Sequence, residues 1–367
     1  MRPITTFVRH NSIKAFLAAE KGLKAVSNGK IGKNLFDIKP KFIGTDVRII
    51  KETDDSTFIA KCDTNGRIVN KPFKILVTTD LHLCDDKELI NKSLFMLAKH
   101  VEAEKPDLIL FTGDVVLTDH QQVDCIQFGK FMEKMGIYWA YVFGNHEARA
   151  EKEYHKYFML KNFISFPHCL SKFGDPSLFG YGNFFINILS SPTSIQQSIV
   201  MLDSGRNTSP KHNIENGAPA ELKCYDFLKK DQIDWYRKTI LALESEYGKF
   251  KSITAMHIAL CEYENVMRLD ENGNYVPTGK AEILYGGMYE SVGCSEFNSG
   301  MFDTIKELGS TQAVIVGHDH INDFCAKYDG IYLVYAQCDG YNTYTMGSNF
   351  GWDEKDWMQG VTMIDID

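Results

Sequence analysis

The stretch Lys74-Ile75-Leu76-Val77-Thr78-Thr79-Asp80-Leu81-His82 puts a carboxylate and an imidazole two residues apart, directly after a strand-like apolar run. The arrangement recurs along the chain. Leu108-Ile109-Leu110-Phe111 precedes Gly113-Asp114, and Trp139-Ala140-Tyr141-Val142-Phe143 precedes Gly144-Asn145-His146-Glu147. Ala313-Val314-Ile315-Val316 precedes Gly317-His318-Asp319-His320, and the weaker run Ser252-Ile253-Thr254-Ala255 precedes Met256-His257. Short apolar runs of this kind read as buried strands, and an open α/β sheet carries its chemistry just beyond their carboxyl ends. Five polar motifs scattered over most of the chain are therefore expected to converge on one rim.

Between the motifs the pattern alternates. Lys87 to Glu104 reads as a helix closed by Lys105-Pro106, and Val123 to Met135 as a second helix before the strand at Tyr138. This β-α-β-α-β order requires a mainly parallel core sheet. Asn183 to Leu189 and Ser198 to Leu202 predict short strands of a second sheet, and a helix is expected from Asp231 towards Leu243. Asp203 to Cys224 and Asp270 to Gly279 are rich in turn formers and read as loops.

Ahead of the first motif, Ser12 to Val26 carries a helical apolar stripe. Val47 to Ile50 and Thr57 to Cys62 predict a strand pair, followed by an Asn65-Gly66 turn into Arg67-Ile68-Val69. Residues 1–70 are accordingly expected to form an extension of helix plus β-hairpin, packed on a catalytic domain of residues 71–367.

Composition narrows the class. The 367 residues are 44% hydrophobic and 24% charged, as in ordinary globular proteins, with a formal net charge of −8. No basic block supports recognition of a long nucleic acid through its phosphates. No apolar run is long enough to span a bilayer, and no continuous apolar segment follows the N-terminal Arg2 and Arg9. Nine cysteines without a Cys-x-x-Cys pair predict free thiols and a cytoplasmic location. Nothing in the chain specifies an oligomeric state.

Imidazole, carboxylate and amide oxygen are the donors that hold divalent metals. Asp80, His82, Asp114, Asn145, His257, His318 and His320 give seven such ligands for two ions if Asp114 is shared. Two metals would acidify a water between them and clamp an in-line phosphoryl displacement. His146, beside a ligand and spare by this count, is placed to protonate the leaving oxygen. Gly113, Gly144 and Gly317 are expected where the chain turns sharply beside the ions.

These ordered motifs resemble the calcineurin-like metallophosphoesterases, whose signature runs Asp-x-His, Gly-Asp, Gly-Asn-His-Asp/Glu, a lone His, then Gly-His-x-His. The resemblance spans roughly Phe73 to Tyr335. It implies a four-layer α/β/β/α sandwich of two mixed sheets, with a dinuclear metal site at the strand carboxyl ends. Asp80, His82 and His320 would hold one ion, Asn145, His257 and His318 the other, with Asp114 bridging. His146 would be the catalytic acid, and a metal-bridging hydroxide the nucleophile.

Three stretches narrow the resemblance to a purple-acid-phosphatase-like subgroup that includes a fungal cell-cycle phosphatase. They are His257 to Tyr263, Cys294 with Asn298-Ser299-Gly300, and Gly317 to Phe324. The subgroup implies phosphate monoesters as substrates, either small phosphometabolites or phosphoproteins. The same core in a phosphodiesterase would act on cyclic nucleotides, nucleic acid or lipid head groups. True purple acid phosphatases carry a tyrosine three residues after the bridging aspartate, where this chain has Leu117. Mn, Fe(II) or Zn is therefore expected, without a ferric-phenolate colour.

Arg149, Asn298 and Tyr341 are candidate substrate contacts, with Tyr263 and Tyr344 as further lining residues. A solvated helix-end role for Arg149 and turn or core roles for Asn298 and Tyr263 compete with that reading. Cys84 reads as a packed thiol, and His10, His100, His120, His155, His168 and His212, which match no motif, as surface residues.

Overall fold

The computed structural model describes residues 4–10, 38–84, 86–118, 121–147, 154–222, 225–351 and 359–367. The stripe at Ser12 to Val26, and Arg149, lie outside these residues. Fourteen described strands fall into two sheets. In the five-stranded sheet the order is Ile4–His10, Val361–Ile366, Phe73–Thr78, Leu108–Phe111, Tyr138–Tyr141. Its last three strands are parallel to one another, and Val361–Ile366 joins Phe73–Thr78 antiparallel. The nine-stranded sheet centres on the parallel strands Ser194–Met201, Ser252–Ala255, Thr311–Val316 and Ile331–Tyr335. Val47–Glu52 and Ser56–Lys61 close one edge of it, so the opening segment supplies strands to both sheets.

Alternation along each strand builds the layers. Phe73, Ile75 and Val77 point from one sheet to meet Ile199, Ile253 and Ile315 from the other, in a dry layer of buried side chains. Leu76, Ile109 and Trp139 point the other way, onto the helices Lys87–Glu104, Gln121–Glu133 and Tyr154–Phe163. On the far side Phe185, Val200 and Val314 pack against Lys230–Tyr247 and Met301–Leu308. The result is the expected α/β/β/α sandwich of two mixed sheets.

Lys87–Glu104 has the expected bounds. Its Asp86 N-cap accepts from the N–H groups of Glu88 and Leu89, and Lys105 ends it in a left-handed conformation. Two loops contain more structure than their composition suggests. The first carries the one-and-a-half-turn helix Pro210–Glu215, capped by Ser209. The second is the hairpin Met267–Leu269 with Tyr275–Pro277. The Asp270 carboxylate fastens its turn by accepting from the N–H groups of Asn272 and Asn274. His100 is buried rather than on the surface, with Nε2 3.6 Å from Asp339 Oδ1. Among the described residues no helix is long and apolar enough to cross a membrane, and all eight described cysteines are free thiols.

Leu110 is fully buried between the sheets, directly under the motif at Asp114. Leu110→Ala is expected to cost about 2–5 kcal/mol of unfolding free energy in a urea titration. Ile49→Ala, at an exposed position on the edge strand, should change it by less than about 0.5 kcal/mol. Equal effects would contradict the layer assignment.

Candidate metal centre

All five motifs meet where the two sheets touch. Asp80, Asp114 and Asn145 come off the five-stranded sheet, and His257, His318 and His320 off the nine-stranded one. Beyond their strands the first two motifs stay paired, with Asp80 N–H donating to Gly113 O and His82 N–H to Asp114 O, both at 3.0 Å. That pairing survives a sharp local twist. Asp80, His82, Asp114 and His318 all have positive φ, at 53°, 43°, 53° and 80°. They make up four of the six non-glycine residues in that region among the described residues. Such backbone is disfavoured for L-residues and persists where surrounding contacts impose it, often at functional sites.

The glycines act in two ways. Gly113 has φ of +99° and supplies a turn. Gly144 and Gly317 lack a positive φ; they are there for close approach. A Cβ on Gly144 would stand 2.1 Å from Asp114 Oδ1, and one on Gly317 2.0 Å from Thr79 Oγ1.

Each buried carboxylate splits its two oxygens between scaffold and centre. Asp80 Oδ2 accepts from Thr79 Oγ1 at 2.7 Å and His318 N–H at 2.8 Å, while Oδ1 has no hydrogen-bond partner. That oxygen lies 3.5 Å from both His82 Nε2 and His320 Nε2. Asp114 Oδ1 accepts from His146 N–H at 2.8 Å, while Oδ2 is likewise without a hydrogen bond. Oδ2 faces His257 Nε2 at 3.3 Å, His82 Nε2 at 3.5 Å and His146 Nε2 at 3.8 Å. Asp80, His82 and His320 form one group able to hold an ion, and Asp114, His257 and His318 another. Asn145 joins the second through its side-chain oxygen, 2.9 Å from His257 Nε2.

Neighbours fix which imidazole nitrogen faces inward. His257 Nδ1 donates to Thr112 O at 2.8 Å, and His320 Nδ1 meets Thr343 Oγ1 at 2.8 Å, leaving both Nε2 atoms on the centre. Tyr344 stacks on His320 at 4.2 Å and donates to Glu290 Oε2 at 2.7 Å. Electrostatics follow from burial. Burial drives Asp80 towards the neutral form, but His257, His320 and His82 outweigh it and hold the carboxyl well below its usual range. Asp114 is depressed likewise, against the same burial penalty, chiefly by His257. Burial and the His257 charge push His318 down to about 3, so its lone pair is available. Burial also penalises a charged His257, yet Asp114 and Asp80 lift it to about 10. The two acids thus demand positive charge at this point, and a divalent cation would meet that demand in place of the proton.

Glu147, which the sequence reading quoted without a role, holds the loops together. It is fully buried and accepts from the N–H groups of Asp114 at 3.0 Å, Val115 at 2.6 Å and Gly144 at 2.6 Å, and from the Tyr141 hydroxyl. The signal was its place in Gly-Asn-His-Glu beside two loops that both need backbone acceptors. Asp319 works similarly, accepting from Gly293 N–H, Asn322 Nδ2 and the Tyr335 hydroxyl.

The centre opens into a cavity of about 810 Å3, walled by His146, Leu117, Cys84, Asn207, Tyr225 and Tyr344 among others. Asn298 and Tyr341 are not on that wall. Asn298 is an exposed turn residue that bonds Glu262 and caps the approach to Gly300. Tyr341 is buried against Met96 under the Lys92 ammonium. Tyr263 is a core residue whose hydroxyl donates to Val314 O. Asn207, Tyr225 and Glu290 carried no motif and were missed.

The calcineurin-like phosphoesterase family model matches residues 73–322. An Arabidopsis thaliana protein named probable inactive purple acid phosphatase 29 is 27% identical over 81% of this chain and 78% of its own length. The Saccharomyces cerevisiae phosphatase DCR2 is 28% identical over 72% of this chain, which spans 47% of the yeast protein. A dimetal phosphatase from Danio rerio superposes with a TM-score of 0.45 at 12% identity, covering 73% of this chain and 88% of its own.

Glu147→Ala would strip an acceptor from three backbone N–H groups at once. It should lower the unfolding free energy by at least about 2 kcal/mol, given about 1–3 kcal/mol for each buried group left unpaired. The bound metal per chain, read by elemental analysis, should fall with it. An unchanged urea midpoint would mean that the loops do not depend on this carboxylate.

Proposed function

The chain belongs to the calcineurin-like phosphoesterase family, whose members hydrolyse phosphoesters, and on that footing we propose that it is a phosphatase acting on phosphate monoesters. Small phosphometabolites and phosphoproteins are the substrate classes in view. One observation carries the reading: two buried, ionised carboxylates each turn a single unpaired oxygen into a ring of imidazoles. Burying such oxygens without a partner is costly unless a cation completes them. The donors suit it, since carboxylate, imidazole and amide oxygen match Mn, Fe(II) or Zn.

Asp80, His82 and His320 would hold one ion, Asn145, His257 and His318 the other, and Asp114 would touch both. Bound there, the two ions would supply Lewis acidity towards phosphoryl oxygens and lower the pKa of a water. The chain's own residues do the rest. The His146 side chain is about one-third exposed on the cavity wall, with Nε2 3.8 Å from Asp114 Oδ2. Its backbone N–H is tied to Asp114 Oδ1, which anchors the residue's main chain at the edge of the centre. From that edge Nε2 would carry the proton to the departing ester oxygen. Tyr225 packs edge-on to His318 at 4.2 Å and, with Leu117 on the same cavity wall, limits water around the ester.

The word inactive in the name of the Arabidopsis relative raises the rival of a retained fold without turnover. Against it, every ligand type needed is present here and converges. Chelator-stripped protein should hydrolyse p-nitrophenyl phosphate only when Mn, Fe(II) or Zn is restored. Faster turnover of bis-p-nitrophenyl phosphate would transfer the assignment to a phosphodiesterase, and no turnover of either ester with metal bound would support the inactive scaffold. His146→Ala should lower kcat by roughly 10²–10⁴ while bound metal stays near wild type. Loss of metal in that variant would make His146 a ligand or a structural residue. With Leu117 at the tyrosine position, the metal-loaded protein should show no ferric-phenolate band in the visible spectrum.

A further inference from the structure

A second cavity, of about 650 Å3, adjoins the one at the centre and shares Asn207 with it. Arg206 fastens the dividing turn, donating through Nε to Asn145 O at 2.8 Å. The lining of this cleft is aromatic. Tyr157 and Phe173 stack at 5.0 Å with 25° between their planes, and the Phe179 ring lies 5.4 Å from that of His212. Tyr157 is 39% exposed, a large aromatic surface turned to solvent beside a concave wall.

The acids in the lining are paired. Buried Lys156 reaches both oxygens of Asp203, at 3.0 and 3.1 Å. Asp226 is met by the Lys229 ammonium and by His212 Nε2 at 3.1 Å. With its acids paired, the cleft has little field to draw in a cation. What it offers is ring faces and the edge of one guanidinium, in a volume suited to a small organic group.

We propose that this cleft binds the organic part of the substrate, and that this part carries a planar aromatic ring. The inference rests on the hydrolytic reading, since it places the phosphate at the metal centre and the ring beyond Asn207. Ring stacking on Tyr157 and Phe173 supplies the selectivity, and Arg206 sets the distance between ring and phosphorus. A tyrosyl side chain and a nucleobase share this chemistry.

Binding separates the proposal from turnover. Calorimetry on the metal-loaded full chain would compare ω-phenylalkylphosphonates of increasing chain length with the alkylphosphonates of matching length, none of which has an ester bond to cleave. The ring should tighten binding by about tenfold, the worth of one good aromatic contact. Tyr157→Ala should erase that preference and Tyr157→Phe retain it. Equal affinities in the wild type, or a preference untouched by Tyr157→Ala, would overturn the proposal even if esters are hydrolysed. A Tyr157-dependent preference in a protein that hydrolyses no ester would leave the cleft standing and refute the hydrolytic reading alone. In turnover, Tyr157→Ala should raise KM for either a phosphotyrosine peptide or a nucleoside monophosphate, naming the source of the ring, by more than it raises the KM for glycerol 2-phosphate. Equal KM changes for all three substrates would indicate a structural role and overturn it.

Discussion

Two carboxylates buried at the ends of adjacent parallel strands set the terms for everything around them. Asp80 and Asp114 are essentially inaccessible, yet each keeps one oxygen off the hydrogen-bonding scaffold. An ionised carboxylate in such a place is tolerated only when opposite charge and donors surround it. The backbone N–H groups of His318 and His146, with the Thr79 side-chain hydroxyl, meet half the requirement. Imidazoles meet the other half. The left-handed backbone at four of the candidate ligands is how the chain brings both kinds of partner to the same point.

Holding that arrangement takes a rigid surround, part of it behind the centre and part on the wall of its cavity. Glu147 gathers N–H groups from two loops of the five-stranded sheet, and Asp319 ties the Gly293 loop to the segment between His318 and His320. Thr112 and Thr343 orient the rings of His257 and His320. A ligand set fixed through such partners binds metal without first having to be ordered, which is where affinity is gained or lost.

The period of the apolar residues made the architecture legible. Runs such as Ala313 to Val316 are too short and too β-branched for helices, and the helical stretches between the runs of the first half force parallel strands. The metal-type residues were legible because each sits just past such a run. Substrate contacts were not. Asn298 and Tyr341 were chosen for chemistry and proximity in sequence, but the first spends its side chain on a turn and the second is pulled beneath Lys87–Glu104 by packing on Met96. Asn207 and Tyr225 were missed because a pocket wall is assembled from loops whose three-dimensional course leaves no period in the sequence. Glu147 was visible but silent, since three of its partners are backbone N–H groups, which every residue but proline carries.

The centre's position on the seam between the sheets ties the chemistry to the dry apolar layer that joins them. Each group of candidate ligands draws on both sheets: Asp80 and His82 stand with His320, and Asp114 and Asn145 with His257 and His318. No ion could be held by one sheet alone with this set. Metal bound across the seam would therefore act as a clasp between the layers, favouring the packed sandwich over any state in which the sheets part. The converse also holds. A methylene lost from the dry layer at Leu110 or Ile315 loosens the very surfaces that set the distances between the imidazoles and Asp114. Stability and metal affinity are then one property of the seam, measured two ways.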